Sequence, residues 1–190
     1  MDKASIKNFF DSLAPIWDKD MIKDDDIINK ILDEGHVDSN KVLDVACGTG
    51  VLIPYYLDRK CNVTGIDISS EMIKIASNKF KDLKFICGDV EEYKDDKFDN
   101  IVIYNAFPHF IDPESLIKHV DSLLNENGYL NIAHGMSRAR INKHHEGKAS
   151  NYSRDLLSGE ELASIMNKYL DVKLIVDNDE YYHVVARKRS

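Results

Sequence analysis

The apolar positions of this chain change period several times, and the changes mark out its elements. Ile6, Phe9, Phe10 and Leu13 recur at helical spacing before Pro15. Ile27, Ile28, Ile31 and Leu32 form a second helical face, with Asp24 to Asp26 at its N-terminus. Short β-branched runs then alternate with helical patterns. The pattern predicts strands near 41–46, 62–67, 83–87, 99–104 and 128–134, and helices near 50–59, 70–80 and 113–124. A polar stretch follows over 135–157, then a helix near 158–168 and strands over 171–177 and 180–188. Asn178-Asp179 between the last two strands is a turn signal, so they should pair as an antiparallel hairpin. Alternating strands and helices predict an α/β fold: a Rossmann-like, doubly wound, mostly parallel seven-stranded sheet, with the terminal hairpin adding an antiparallel strand at one edge.

Composition narrows the class. The chain has 190 residues, 43% hydrophobic and 31% charged, as expected of one soluble globular domain. No apolar run is long enough for a membrane span, and the first residues do not begin a signal peptide, which predicts a cytoplasmic protein. A net charge of -8 disfavours a nucleic-acid partner, whose phosphates need a basic face. Cys47, Cys61 and Cys87 have no paired spacing and read as reduced, small hydrophobes.

The most informative stretch is Val42-Leu-Asp-Val-Ala-Cys-Gly-Thr-Gly50. A buried strand turns into a helix through small residues, which lets a ligand lie against bare backbone. A dinucleotide fingerprint fails, because Ile53 or Val51 stands where its third glycine is needed. No lysine follows the loop, which removes a phosphate-cradling P-loop. Asp44 would repel a pyrophosphate and attract a ligand carrying an ammonium and a sulfonium, so the ligand is expected to be cationic there. Asp67 ends the second strand, where a carboxylate can accept both ribose hydroxyls of an adenosine. Asp89 ends the third strand and could accept from an adenine amino group, with Ile68, Met72 and Val90 sandwiching the ring. Asn105 follows the fourth strand.

These residues resemble the class I S-adenosylmethionine-dependent methyltransferases. Asp44-x-Ala46-Cys47-Gly48-Thr49-Gly50 matches their glycine-rich first motif, with Ala46 in place of the usual first glycine. Asp67 matches the acidic second motif, Gly88-Asp89 the adenine-side motif, and Asn105 to Asp112 the segment after strand four. Phe9-Phe10-Asp11-x-Leu13-Ala14-x-x-Trp17-Asp18 looks like the start of the branch that includes ubiquinone/menaquinone-biosynthesis-type and other small-molecule enzymes.

The resemblance implies S-adenosylmethionine as cofactor and in-line transfer of its methyl group to a small-molecule acceptor. It implies a single domain: a helical lid at 1–35, a cofactor-binding core at 36–134, an acceptor-side insertion at 135–157 and a terminal helix and hairpin at 158–190. Its cofactor-binding residues would be Asp44, Ala46, Cys47, Gly48, Gly50, Asp67, Ile68, Met72, Gly88, Asp89, Val90 and Asn105. Oligomeric state stays open between monomer and homodimer.

Candidate bases are His134, at the end of strand five, and His109, because a histidine titrates near neutrality. Trp17, His109, Arg138, His144 and His145 are candidates for acceptor contact. Residues 137–147 fit a short helix capped by Ser137, and Arg138 or Arg140 could hold a carboxylate. A metal site from His134 with His144, His145 or Glu146 matches no recognised zinc spacing, and no metal is expected. The alternative is a non-catalytic S-adenosylmethionine-binding sensor; a nicotinamide-linked reductase ranks below it.

Overall fold

The computed structural model describes residues 2–19, 21–145 and 151–189; the side chains of His144 and His145 also lie outside the described part. Its strands are β1 (Lys41–Val45), β2 (Asn62–Asp67), β3 (Lys84–Cys87), β4 (Phe98–Tyr104), β5 (Leu124–His134), β6 (Leu170–Asp177) and β7 (Tyr182–Lys188). Its helices are α1 (Lys3–Leu13), α2 (Asp25–Glu34), α3 (Ile53–Asp58), α4 (Ser70–Lys79), α5 (Pro113–Leu123), α6 (Arg138–His145) and α7 (Gly159–Met166).

The seven strands form one sheet in the order β3-β2-β1-β4-β5-β7-β6. The first five are parallel, and β7 runs antiparallel to both β5 and β6. The antiparallel strand is therefore not at the edge, as the turn signal suggested. It inserts between β5 and β6, and β6 forms the edge.

The pleat assigns the core. Leu43, Val45, Ile101 and Ile103 pack on one face with Leu116, Ile117 and Val120 of α5 and Leu162 and Met166 of α7. Val42 and Val102 point the other way, against Ile28 and Leu32 of α2 and Ile53, Tyr55 and Tyr56 of α3. A buried polar network ties the end of α2 to this layer. Asn131 Nδ2 donates to Asn100 Oδ1 at 2.6 Å and to the Gly35 carbonyl at 3.1 Å, while Asn131 Oδ1 lies 2.9 Å from His183 Nε2.

Several boundaries differ from expectation for local reasons. The first crossover helix begins at Ile53 instead of residue 50, because Ala46, Gly48 and Gly50 all take positive φ and the chain turns until Pro54 can enter the first helical turn. β5 starts at Leu124, directly after α5, with an irregularity in its pairing to β4 before Tyr129. Asn127 at φ 65 marks the same irregular stretch. No helix among the described residues is long and apolar enough to cross a membrane.

Candidate active site

The carboxyl ends of β1, β2, β3 and β4 and the inner face of α1 enclose a cavity of about 430 Å³. The loop after β1 forms one wall. Ala46 stands at φ 55, Gly48 at φ 54 and Gly50 at φ 87, all in the left-handed region. A side chain at Gly50 would also bring its Cβ to 2.8 Å from Phe80 Cε2. Ala46 tolerates the strain because its methyl is small. Cys47 is 3% exposed and lines the cavity, and burial pushes its thiol far up, which supports a space-filling role.

Asp67 clamps this loop to the next helix. Its Oδ2 accepts from the Gly48 amide at 2.8 Å, and its Oδ1 accepts from the Ser69 amide at 2.8 Å. Burial nevertheless holds its pKa above the usual carboxylate range, because desolvation outweighs the two amide donors. Each oxygen retains a second lone pair, and the residue faces the cavity. Ser69 caps α4, accepting from the Met72 amide at 3.1 Å. Ile68, Met72, Gly88, Asp89 and Val90 complete the wall on this side.

Two features here had no signal in the sequence. Lys3 of α1 pairs with Asp89 Oδ2 and lies 2.7 Å from Glu91 Oε2, so the carboxylate expected to meet an adenine already holds an ammonium. Asp11 Oδ1 accepts from the Ser69 hydroxyl at 2.6 Å and from the Glu71 amide at 3.2 Å, which fastens α1 to the start of α4.

Asp44 is the main correction. It is 2% exposed and is not part of the cavity wall, which runs through Val45, Ala46, Cys47 and Gly48. Alternation along β1 turns it to the side of Val42, toward α3, and not into the mouth of the site.

At the far end, Asn105 takes φ 53 and its Oδ1 accepts from the Gly135 amide at 3.0 Å. Asn105, Trp17 and His109 line the cavity with Phe10 and Tyr104. Burial pushes the Tyr104 phenol up to about 12. His109 Nδ1 lies 2.8 Å from the Tyr152 carbonyl, which can only accept. The ring therefore donates from Nδ1, and a neutral His109 carries its lone pair on Nε2. The Phe10 ring meets it edge-on at 4.9 Å.

Other expected contacts fall elsewhere. His134 is 3% exposed and absent from the cavity wall; it lies on the same face as Ile132, with its ring 6.0 Å from that of Tyr182. Arg138 Nε donates to Asp177 Oδ2 of β6 at 2.9 Å, away from the cavity. His144 and His145 close α6, but their side chains are outside the described residues, as is Glu146. Among the described residues, no group of three metal-ligating side chains converges.

The family model for a methyltransferase domain matches residues 43–132, the stretch that builds these walls. A ribosomal RNA small subunit methyltransferase A from Mycoplasmopsis synoviae is 26% identical over 156 residues, covering 80% of this chain and 60% of that protein. A demethylmenaquinone methyltransferase from Thermotoga maritima is 33% identical over 126 residues, covering 56% of this chain and 55% of that protein. The chain thus spans little more than half the length of these relatives. The solved N-methyltransferase NodS from Bradyrhizobium japonicum WM9, in complex with S-adenosyl-L-homocysteine, superposes with a TM-score of 0.74 at 15% identity, covering 99% of this chain and 98% of that one. The chain belongs to the class I S-adenosylmethionine-dependent methyltransferases.

The cavity of this class I domain suits the family's cofactor. Its volume lies in the range that holds a drug-sized ligand. The acidic end of β2 is preorganised by two amides, and the bare backbone of Ala46 to Gly48 leaves room for close approach.

Proposed function

We propose that the protein transfers the methyl group of S-adenosylmethionine to a small-molecule acceptor held between α1 and the segment after β4. The observation that carries the reading is the Asp67 carboxylate. It is fixed by the Gly48 and Ser69 amides and faces a cavity walled by the loop after β1. In this reading Asp67 accepts from ribose hydroxyls, and Ile68, Met72 and Val90 enclose the adenine. Lys3 and Asp89 share its edge.

The bound cofactor supplies an electrophilic methyl on a sulfonium, so the chain's task is alignment and exclusion of water. Phe10, Leu13 and Trp17 line the acceptor side and keep it largely apolar. His109, with Nε2 as its basic atom, would take the proton from an acceptor hydroxyl or acidic carbon as the methyl bond forms. A thiolate acceptor would not need it. His134 has no part in this reading, because its ring lies outside the cavity.

A small acceptor is favoured over nucleic acid by charge. One relative is named for ribosomal RNA, but this chain carries a net charge of -8, and a polyphosphate ligand needs the opposite.

Calorimetry with S-adenosylmethionine and S-adenosylhomocysteine tests the reading. Micromolar binding to the wild type, weakened at least tenfold in Asp67→Ala, is expected, after which phenols, thiols, quinols and amines are screened as acceptors. No binding to folded wild-type protein would overturn it.

A further inference from the structure

Tyr152 and Arg154 lie 43 and 44 positions beyond the residues they hold in the segment after β4. The Arg154 amide donates to the Pro108 carbonyl at 3.0 Å, and Arg154 Nε donates to the Phe110 carbonyl at 3.1 Å. These two carbonyls flank His109. The Arg154 guanidinium also lies 4.9 Å over the ring of Phe107, which anchors the turn in the core. Between the two ties, the Tyr152 carbonyl accepts from His109 Nδ1 at 2.8 Å.

Tyr152 reaches α1 as well. Its ring stacks on that of Phe9, with centroids 4.3 Å apart and planes at 13°. Phe9 meets Phe10 edge-on at 5.3 Å, and Phe10 meets His109 edge-on at 4.9 Å. Tyr152, Phe9, Phe10 and His109 therefore close a circuit, with a hydrogen bond at one point of the imidazole and a ring contact at another. In water a histidine favours the proton on Nε2, and an acceptor placed at Nδ1 reverses that preference. The reversal holds only while the Tyr152 carbonyl stays in place. The Arg154 ties and the Phe9 stack keep it there.

We propose that Tyr152 and Arg154 are positioning residues for His109: they hold its imidazole in the Nδ1–H tautomer and make that state depend on the seating of α1. This rests on the reading of His109 as the base for an acceptor hydroxyl or acidic carbon. Neither residue touches a reacting atom; each acts through His109. The helix that closes over the cofactor cavity thereby also orders the base.

The test is nitrogen-15 NMR of histidine-labelled protein at about pH 8.5, where an ordinary imidazole is neutral. Long-range proton–nitrogen correlations distinguish a protonated ring nitrogen from an unprotonated one, and His109→Gln assigns the signal. Wild-type His109 should show Nδ1 protonated and Nε2 unprotonated. Tyr152→Ala and Arg154→Met should move the signal toward the Nε2–H tautomer, whereas Tyr152→Phe, which keeps the stacked ring, should retain the wild-type pattern. A merely structural strap would lower the melting temperature and leave the tautomer as it is. With an acceptor hydroxyl in hand, Tyr152→Ala and Arg154→Met should lower kcat roughly ten- to hundredfold and leave the cofactor dissociation constant unchanged. Should Arg154→Met fail to fold, the two Tyr152 variants decide. A wild-type His109 protonated on Nε2, or an Nδ1–H signal that persists in the folded Tyr152→Ala protein, would overturn the proposal and leave the cofactor reading intact. Wild-type kcat in His109→Gln would instead remove the base reading, and the positioning role with it.

Discussion

Asp18 Oδ1 accepts a 2.6 Å hydrogen bond from the Thr49 hydroxyl, joining the turn after α1 to the loop after β1. Lys79 of α4 completes the junction, pairing with Asp18 Oδ2 and donating to the Thr49 carbonyl at 3.2 Å. The N-terminal segment is therefore fastened to the loop that walls the cavity, and not only draped across it.

Removing that junction should weaken ligand binding more than it weakens the fold. A hydrogen bond to a charged group contributes about 1.5–3 kcal/mol, and the exposure of Asp18 reduces this to about 1 kcal/mol. Asp18→Ala is expected to raise the dissociation constant for S-adenosylhomocysteine roughly fivefold, with a melting temperature within a few degrees of wild type. An unchanged constant by calorimetry would show that the junction does not hold the loop.

His109 should matter to turnover and not to cofactor affinity. Once an acceptor hydroxyl is identified, His109→Gln is expected to lower kcat by at least about a hundredfold, the usual scale of a general base, and to leave the cofactor dissociation constant unchanged. Retention of wild-type kcat would remove His109 as the base.

Gly50 carries two constraints at once, φ 87 and a Cβ position 2.8 Å from Phe80 Cε2. Gly50→Ala should cost about 2 kcal/mol or more, from left-handed backbone strain plus displacement of the Phe80 ring. Urea denaturation reads this as a lower midpoint at unchanged slope.

Asp44 contributes one part of the pH dependence of stability in the ligand-free protein. Its pKa rises from 3.8 to about 8, so between those values the native state holds a proton that the unfolded chain has lost. Stability then falls as pH rises, by up to about 1.4 kcal/mol per pH unit, and levels off above pH 8. Denaturation midpoints at pH 5 to 8 should show this slope in the wild type relative to Asp44→Asn. Parallel profiles for the two proteins would mean that Asp44 is ionised throughout.

Much of the site was legible because it is local. The loop from Ala46 to Gly50, the capping Ser69 and the acids that end β2 and β3 each have a short-range signature of small residues, caps or strand ends. For two residues the position at a strand's end suggests the cavity, while the pleat of the strand turns the side chain away from it. Asp44 shares a face with Val42, and His134 with Ile132; both side chains therefore turn away from the cavity. Arg138, a candidate for acceptor contact from its place after β5, instead pairs with Asp177 of β6, more than thirty positions later in the chain.

By itself the sequence determined the alternation of strands and helices and the glycine-rich turn, since hydrophobic period and backbone sterics act over a few residues. The tertiary structure alone decided the insertion of β7 between β5 and β6, the Lys3 pair with Asp89 and the Asp18 bond to Thr49. Each joins groups that are tens of residues apart along the chain. Such contacts form only when the packed sheet brings those groups within hydrogen-bonding reach, and no local pattern encodes them.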